Sequence, residues 1–403
     1  MFKELKGRKM YMVRCLFLFA LIFFAGCHSD EPDKEETPSG SNSGFYFGAD
    51  LSAVNQILDH GGLYKENNTV TDPYRIFADK GANLVRARLW HNPQWTKDVY
   101  GAQGTQLYND LADVTRTFTT AKAAGLQLLL DFHYSDTWAD PANQYIPAAW
   151  KNIRSLDVLR DSVYHYTFRT LAYLKNKDLQ PEFVQLGNEI NCGLFFSDAP
   201  QGFPTCNVCN NEWTNAGTVL NAAIQAVRDV SASSTTKTKI VLHVADPKNV
   251  AWWFGNIRDQ AKVTDFDLVG FSYYPLWHTT VSLDAISSSV ADFETQFGKD
   301  VIILETDYPW TTTNADAYNN LFGDLQPLPG YPFSPQGQLD LMKKLTGEMM
   351  QGGGVGVIPW EPAYITSSMK DQWGTGSPLD NCAFFDFNGN STMGMDYMKA
   401  DYK

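Results

Sequence analysis

A chain of 403 residues with 44% apolar side chains can bury a large core, and one big domain fits that length as well as two small ones. Its formal charge of −13 and pI near 5.0 repel phosphate backbones and polyanionic glycans, which excludes nucleic acid and favours a neutral partner. Eleven tryptophans exceed the needs of a core this size, so some are expected to line an exposed cleft.

The first segment reads as an address. Lys3, Lys6, Arg8, Lys9 and Arg14 precede the apolar run Cys15 to Gly26, too short to span a bilayer and suited to a signal h-region. Residues 1–26 are therefore expected to be a signal peptide. Phe24-Ala25-Gly26-Cys27 resembles a bacterial lipoprotein cleavage site, with Cys27 as the lipidated N-terminus; ordinary signal cleavage is the alternative. Residues 27–44 are acidic, then rich in Ser, Gly and Pro, and predict a tether with nothing to bury. An acidic stretch directly after the cysteine resembles surface-export signals of some Gram-negative lipoproteins. The expectation is an exported chain, lipid-anchored to the outer membrane and facing the cell surface.

From residue 45 to 403, β-like runs alternate with helix-like stretches. The runs are 45–52, 84–90, 126–134, 183–189, 239–245, 268–274, 301–306 and 354–362. Their near-continuous apolar character is what parallel strands covered on both faces require. Stretches such as 111–125 and 158–177 have helical spacing. Eight such units predict an α/β fold, a single (β/α)8 TIM barrel domain. Two loops are long, one after Glu305 and one after Trp360, and loops of that length in a compact domain are usually functional or tied down.

Cysteines 192, 206, 209 and 382 remain in the body of the chain. Cys206-x-x-Cys209 has no second CxxC and no nearby histidine pair, so a zinc set is not expected. A loop staple from Cys192 to Cys206 or Cys209 is, with the pairing left open.

Polar and aromatic residues gather where the runs end: Asp50, Arg88, His133, Asn188, Glu189, His243, Tyr274, Glu305 and Trp360. In a barrel those ends share one mouth, where active sites form. Glu189 closes FVQLGNE and Glu305 closes VIILE, so each acid stands at a core edge where desolvation raises its pKa. Two such acids suit glycosidic hydrolysis, with Glu189 as acid/base and Glu305 as nucleophile about 5–5.5 Å apart. Asn188 would bond the sugar 2-hydroxyl, Arg88 and Tyr274 would hold Glu305 ionised, and Trp360 would floor a subsite. His243 would tune Glu189; for it and His133 the alternative is a structural imidazole. Asp50, Asp136, Trp138 and Trp277 complete the expected substrate contacts, with Trp90, Trp95 and Trp310 as further stacking candidates.

The strings GADLSAV, ARLWHNP, DFHYSDTWADP, LGNEIN, FSYYPLWH, LETDYPW, YPFSPQGQ, PWEPAYI and LDNCAFFDF together resemble glycoside hydrolase family 53. The likeness runs from about Gly48 to Gly389. It implies a retaining endo-β-1,4-galactanase acting on neutral pectin side chains, with its acids on strands four and seven. It also implies a structural calcium ion between the two long loops, held by Asn314, Asp316, Asn320, Ser377 and Asp380. Oxygen-bearing side chains suit a hard cation, although Tyr318 stands where relatives offer another ligand. A monomer is expected. The alternatives are another barrel hydrolase acting on mannan, glucan or xylan, and a surface lipoprotein that binds glycan without cutting it.

Overall fold

The computed structural model describes residues 44–402. The expected signal peptide, the lipid site at Cys27 and residues 27–43 of the tether lie outside the described residues.

Eight strands form the frame: β1 (Tyr46–Asp50), β2 (Leu84–Leu89), β3 (Gln127–Phe132), β4 (Phe183–Leu186), β5 (Lys239–Ala245), β6 (Leu268–Ser272), β7 (Asp300–Glu305) and β8 (Gly356–Val357). All pair in parallel, and β8 returns to β1 through Tyr46↔Gly356 and Phe47↔Val357, closing the barrel. Between them run α1 (Pro73–Lys80), α2 (Leu111–Ala123), α3 (Leu156–Lys175), α4 (Trp213–Ala232), α5 (Val250–Asp259), α6 (Ile286–Phe297) and α7 (Pro335–Gln351). The eightfold α/β barrel read from the sequence is the fold. Its strand ends are shorter than expected for local reasons. Run 183–189 stops at Leu186 because Gly187 and Glu189 take φ of 91° and 46°, which no strand accommodates. Run 354–362 keeps two paired residues, since Pro359 has no N–H to give the ladder.

Side-chain alternation builds the interior in layers. Leu84, Leu129, Phe183, Val241, Leu268, Ile302, Leu304 and Ile358 plug the barrel. Burying each contributes about 1.5–3 kcal/mol. Close packing there requires glycine: a Cβ on Gly48 would stand 2.6 Å from Ile358 Cγ1, and one on Gly270 2.4 Å from Leu304 Cδ1. Two residues further along four of the strands come Arg86, Asp131, Gln185 and His243, all buried. These form a polar layer between the plug and the mouth.

Strand β7 departs from this rhythm. Ile302 and Leu304 are both plug residues, so strict alternation would turn Glu305 away from the interior. The β6–β7 register instead slips between Phe271 and Ser272, so that Ser272 pairs with Glu305. A slip of this kind re-aims a side chain.

The long loops are tied together. Trp310 N–H donates to Asn381 O at 2.8 Å and Leu321 N–H to Pro378 O at 2.9 Å. The open disulfide pairing resolves to Cys192–Cys209, which staples the loop after β4. Cys206 and Cys382 are buried free thiols.

Candidate active site

At the mouth of the barrel lies a cavity of about 650 Å³, and Glu189 and Glu305 both line it. Arg86 organises its floor. Nη1 lies 2.7 Å from Asp50 Oδ2, and Nη2 lies 2.8 Å from Asp131 Oδ2, 2.8 Å from Asn188 Oδ1 and 2.9 Å from Glu305 Oε1. One buried guanidinium thus serves three carboxylates, and Gln185 Oε1 takes its Nε–H at 3.1 Å. Burial alone would raise Asp131, but Arg86 and His133 hold its carboxyl low.

Glu305 accepts Arg86 at Oε1 and the Tyr274 hydroxyl at Oε2, the latter at 2.9 Å. Burial raises Tyr274 well above the usual phenol range, so its proton stays in place to be donated. Among the described residues no cation contacts Glu189. Burial pushes its carboxyl up and the Glu305 charge pushes it further, against the Ser272 hydroxyl, which donates to Oε1 at 2.6 Å. Burial also raises Glu305, but Arg86 and Tyr274 oppose it, so the charged form has more donors on Glu305 than on Glu189. Unequal partners thus push two like groups toward different charge states.

The remaining expectations divide. His133 lines the cavity with its edges engaged: Nε2 lies 3.1 Å from Asp131 Oδ2, and Nδ1 accepts from Trp90 Nε1 and Ala139 N, each at 3.2 Å. Asn188 and Asp50 also reach the cavity. Both Asp50 oxygens already accept, from Arg86 and from Ser52. Trp138 and Trp360 form one wall with ring centroids 6.1 Å apart. Trp277, 44% exposed, stacks on Phe322 at 4.1 Å on the rim.

Two readings need correction, and a third holds by a longer route. Arg88 does not hold Glu305. Its Nη1 lies 2.8 Å from Glu361 Oε1, and its guanidinium sits 4.1 Å from the Trp138 ring centroid. Arg86 takes the expected place because it lies one inward step closer to the plug. Asp136 does not line the cavity; it accepts from the backbone of Asn92 at 2.9 Å and Ala148 at 2.8 Å, tying loops. His243 is wholly buried below the cavity and meets Glu189 by accepting its backbone N–H, reaching the carboxyl only through Ser272. Of the further tryptophans, Trp90 is buried behind Trp138, Trp95 bonds the Asp136 carbonyl and Trp310 packs on Phe387.

Sequence reasoning missed Arg86, Asp131, Gln185, Ser272, Glu361 and the rim residue Trp373. Counting in twos from Leu84, Leu129 and Phe183 finds the first three. Nothing local marks Ser272 or Trp373.

The calcium set also divides. Asn320 Nδ2 donates to Asn314 Oδ1 and to Asp380 Oδ1, both at 2.7 Å, so these three side chains meet across the two loops. Asp316 instead accepts from Tyr318 N at 2.7 Å, Ser377 N at 2.9 Å and the Thr366 hydroxyl. The Ser377 hydroxyl donates to Tyr364 O. Among the described residues no three His, Cys, Asp or Glu side chains gather as ligands.

A parallel eightfold barrel whose mouth holds a buried and a half-buried glutamate, each feeling the other's charge, between tryptophan walls defines a glycoside hydrolase. Residues 46–398 match the model of glycosyl hydrolase family 53, and the chain belongs to that family. An arabinogalactan endo-β-1,4-galactanase of Cellvibrio japonicus is 41% identical over 371 residues, covering 91% of this chain and 94% of that one. Among solved structures, the Ignisphaera aggregans GH53 catalytic domain aligns with a TM-score of 0.77 at 32% identity, over 89% of this chain and 97% of that one. A structure of fungal β-1,4-galactanases aligns with a TM-score of 0.71 at 30% identity, over 88% and 98%.

Proposed function

We propose that this glycoside hydrolase cuts β-1,4-galactan within the chain, by double displacement with retention. The observation that carries the chemistry is the unequal partnering of the two glutamates. Glu305, bonded by Arg86 and Tyr274, is suited to attack the anomeric carbon as a carboxylate. Glu189, half-buried and among the described residues without a cation partner, is suited to give its proton to the leaving oxygen and later to take one from water. Galactan is supported by the galactanase relatives and by an acidic chain that favours a neutral polymer. Arg88, pinned by Glu361 and Trp138, orients the wall against which a sugar ring would stack.

The test is release of reducing ends from galactan. Early long fragments indicate mid-chain cutting, and NMR of the first anomer formed reports retention, which requires carboxyl groups about 5–5.5 Å apart. Glu305→Gln should bind galactan and release nothing. Binding without release by the wild-type chain would leave only a glycan-capture role.

A structural calcium ion belongs to the same proposal. Asn320 Oδ1 is buried without a partner, and a half-turn of that amide would present it beside Asn314 Oδ1 and Asp380 Oδ1. These are hard oxygen donors suited to calcium. The ion would rivet two loops beside the cavity and take no part in bond cleavage. Calcium should raise the Tm of the wild-type chain and not that of Asp380→Ala. We further propose export with a lipid anchor at Cys27 and a monomeric state. Metabolic labelling with a fatty-acid probe, lost in Cys27→Ala, tests the first, and light scattering of the purified chain tests the second.

A further inference from the structure

Ser272 ends β6, is wholly buried and takes no part in bond cleavage as described above. Its Oγ lies 2.6 Å from Glu189 Oε1 and 2.9 Å from His243 Nε2. The direction of these bonds follows from the other side of the imidazole. His243 Nδ1 faces the Glu189 backbone N–H at 3.2 Å, which can only donate. It also faces Gln185 Nε2 at 2.9 Å. Arg86 fixes the sense of that amide, because its Nε–H requires the Gln185 oxygen at the opposite corner. A third neighbour, Asn188 Oδ1 at 3.1 Å, already accepts from Arg86 and Gln185. Nδ1 with two donors carries no hydrogen, so the ring hydrogen sits on Nε2 and points to Ser272 Oγ. Burial and the Arg86 charge hold His243 well below the usual imidazole range, and the ring stays neutral.

Ser272 Oγ, having accepted that hydrogen, has one of its own to give, and Glu189 Oε1 receives it. Among the described residues no group bonds Oε2. We propose that Ser272 is the positioning residue for the acid: held by the Nε2–H of His243, its hydroxyl claims Oε1 as acceptor and leaves the transferable proton on Oε2, toward the cavity. In the forward step the Oε2–H bond breaks, the proton goes to the glycosidic oxygen, and the new carboxylate keeps the Ser272 bond at Oε1. The device links neighbouring strands twice over, since the same Ser272 pairs through its backbone with Glu305. The inference rests on Glu189 being the acid/base.

The test compares kcat/KM for galactan with that for a 2,4-dinitrophenyl β-galactobioside, whose leaving group departs without a proton. Ser272→Ala is expected to lose about tenfold on galactan, a fraction of the roughly 10²–10⁴ a general acid supplies. It is expected to lose less than about twofold on the activated substrate, which needs no acid. The groups facing Glu189 are Glu305 from β7, Arg86 from β2, Asp140 from the loop after β3 and, behind it, His243 from β5. All remain in the variant, so loss of the hydroxyl donor alone should move the basic limb of the galactan profile to higher pH. Equal losses on both substrates with an unmoved limb would overturn the proposal. Glu189→Ala separates the two ideas: if it loses as much on the activated substrate as on galactan, the assignment of Glu189 itself fails. Nitrogen-15 NMR of His243 in the wild-type chain is a second check, independent of any variant. A neutral Nε2–H ring from about pH 5 to 8 is expected, and an Nδ1–H tautomer would sink the relay.

Discussion

Arg86 Nη2 lies 2.9 Å from Glu305 Oε1, and the guanidinium that makes this contact also faces Asp50 and Asp131. A planar guanidinium spreads five donors over three nitrogens and reaches carboxylates on separate strands; an ammonium gathers its three donors on one atom and cannot span the same distances. Arg86→Lys should therefore lower kcat/KM on galactan by about 10²-fold or more and cost about 3–5 kcal/mol of stability. Steady-state kinetics and urea unfolding measure both. Arg88→Lys, which changes the Trp138 wall and leaves Glu305 its partners, should act mainly on KM.

Tyr274 holds the other oxygen of Glu305 at 2.9 Å, and that bond lowers the carboxyl's pKa. In Tyr274→Phe the acid limb of the pH–rate profile should move upward, because Glu305 then takes up its proton more easily. The value of kcat on galactan should fall about tenfold near neutral pH, as one charge-stabilising donor is lost. An unchanged acid limb would separate Tyr274 from the ionisation of Glu305.

Glu189 bears on stability as well as on rate. Its folded pKa stands above the reference 4.5, with burial as the main cause. The native state therefore keeps a proton that the unfolded chain has released, and this contribution to stability is lost as pH rises from about 4.5 through the folded value. Glutamine cannot ionise, and its amide oxygen can still accept from Ser272. Glu189→Gln should match the wild-type Tm near pH 4 and exceed it at pH 8 and above, at the expense of activity. Thermal melts across that range give the sign directly.

The Cys192–Cys209 bridge joins positions 17 apart in sequence, just after Glu189. Chain-entropy arguments place its contribution at about 3 kcal/mol. Cys192→Ser should lower the Tm accordingly, and a denaturation midpoint with and without reductant checks it. Cys206 is buried with its thiol pushed up by burial, so it stays inert to alkylation in the folded state.

How far the site was legible follows from which interactions are local. Asn188, Glu189, Tyr274 and Glu305 were found because each follows an apolar run in the chain, and apolar runs of that length end at a barrel mouth. Arg88 stands out in the sequence and Arg86 does not, because proximity to a strand end is visible there while distance from the barrel axis is not. Asp136 and His243 look like ligands in a string of letters. Only packing reveals that one ties loops and the other faces inward below the cavity.

The order of apolar runs, their spacing by helical stretches and the two acids that close them were determined by sequence alone, since burial and backbone hydrogen bonding act on neighbours along the chain. Tertiary structure decided the rest. The one-residue slip between Phe271 and Ser272 turns Glu305 inward, the closure of the ring brings Arg86 to it from 219 residues away, and Ser272 meets Glu189 only across an intervening strand. Contacts of this kind depend on strand register and barrel curvature, which no stretch of the chain encodes by itself.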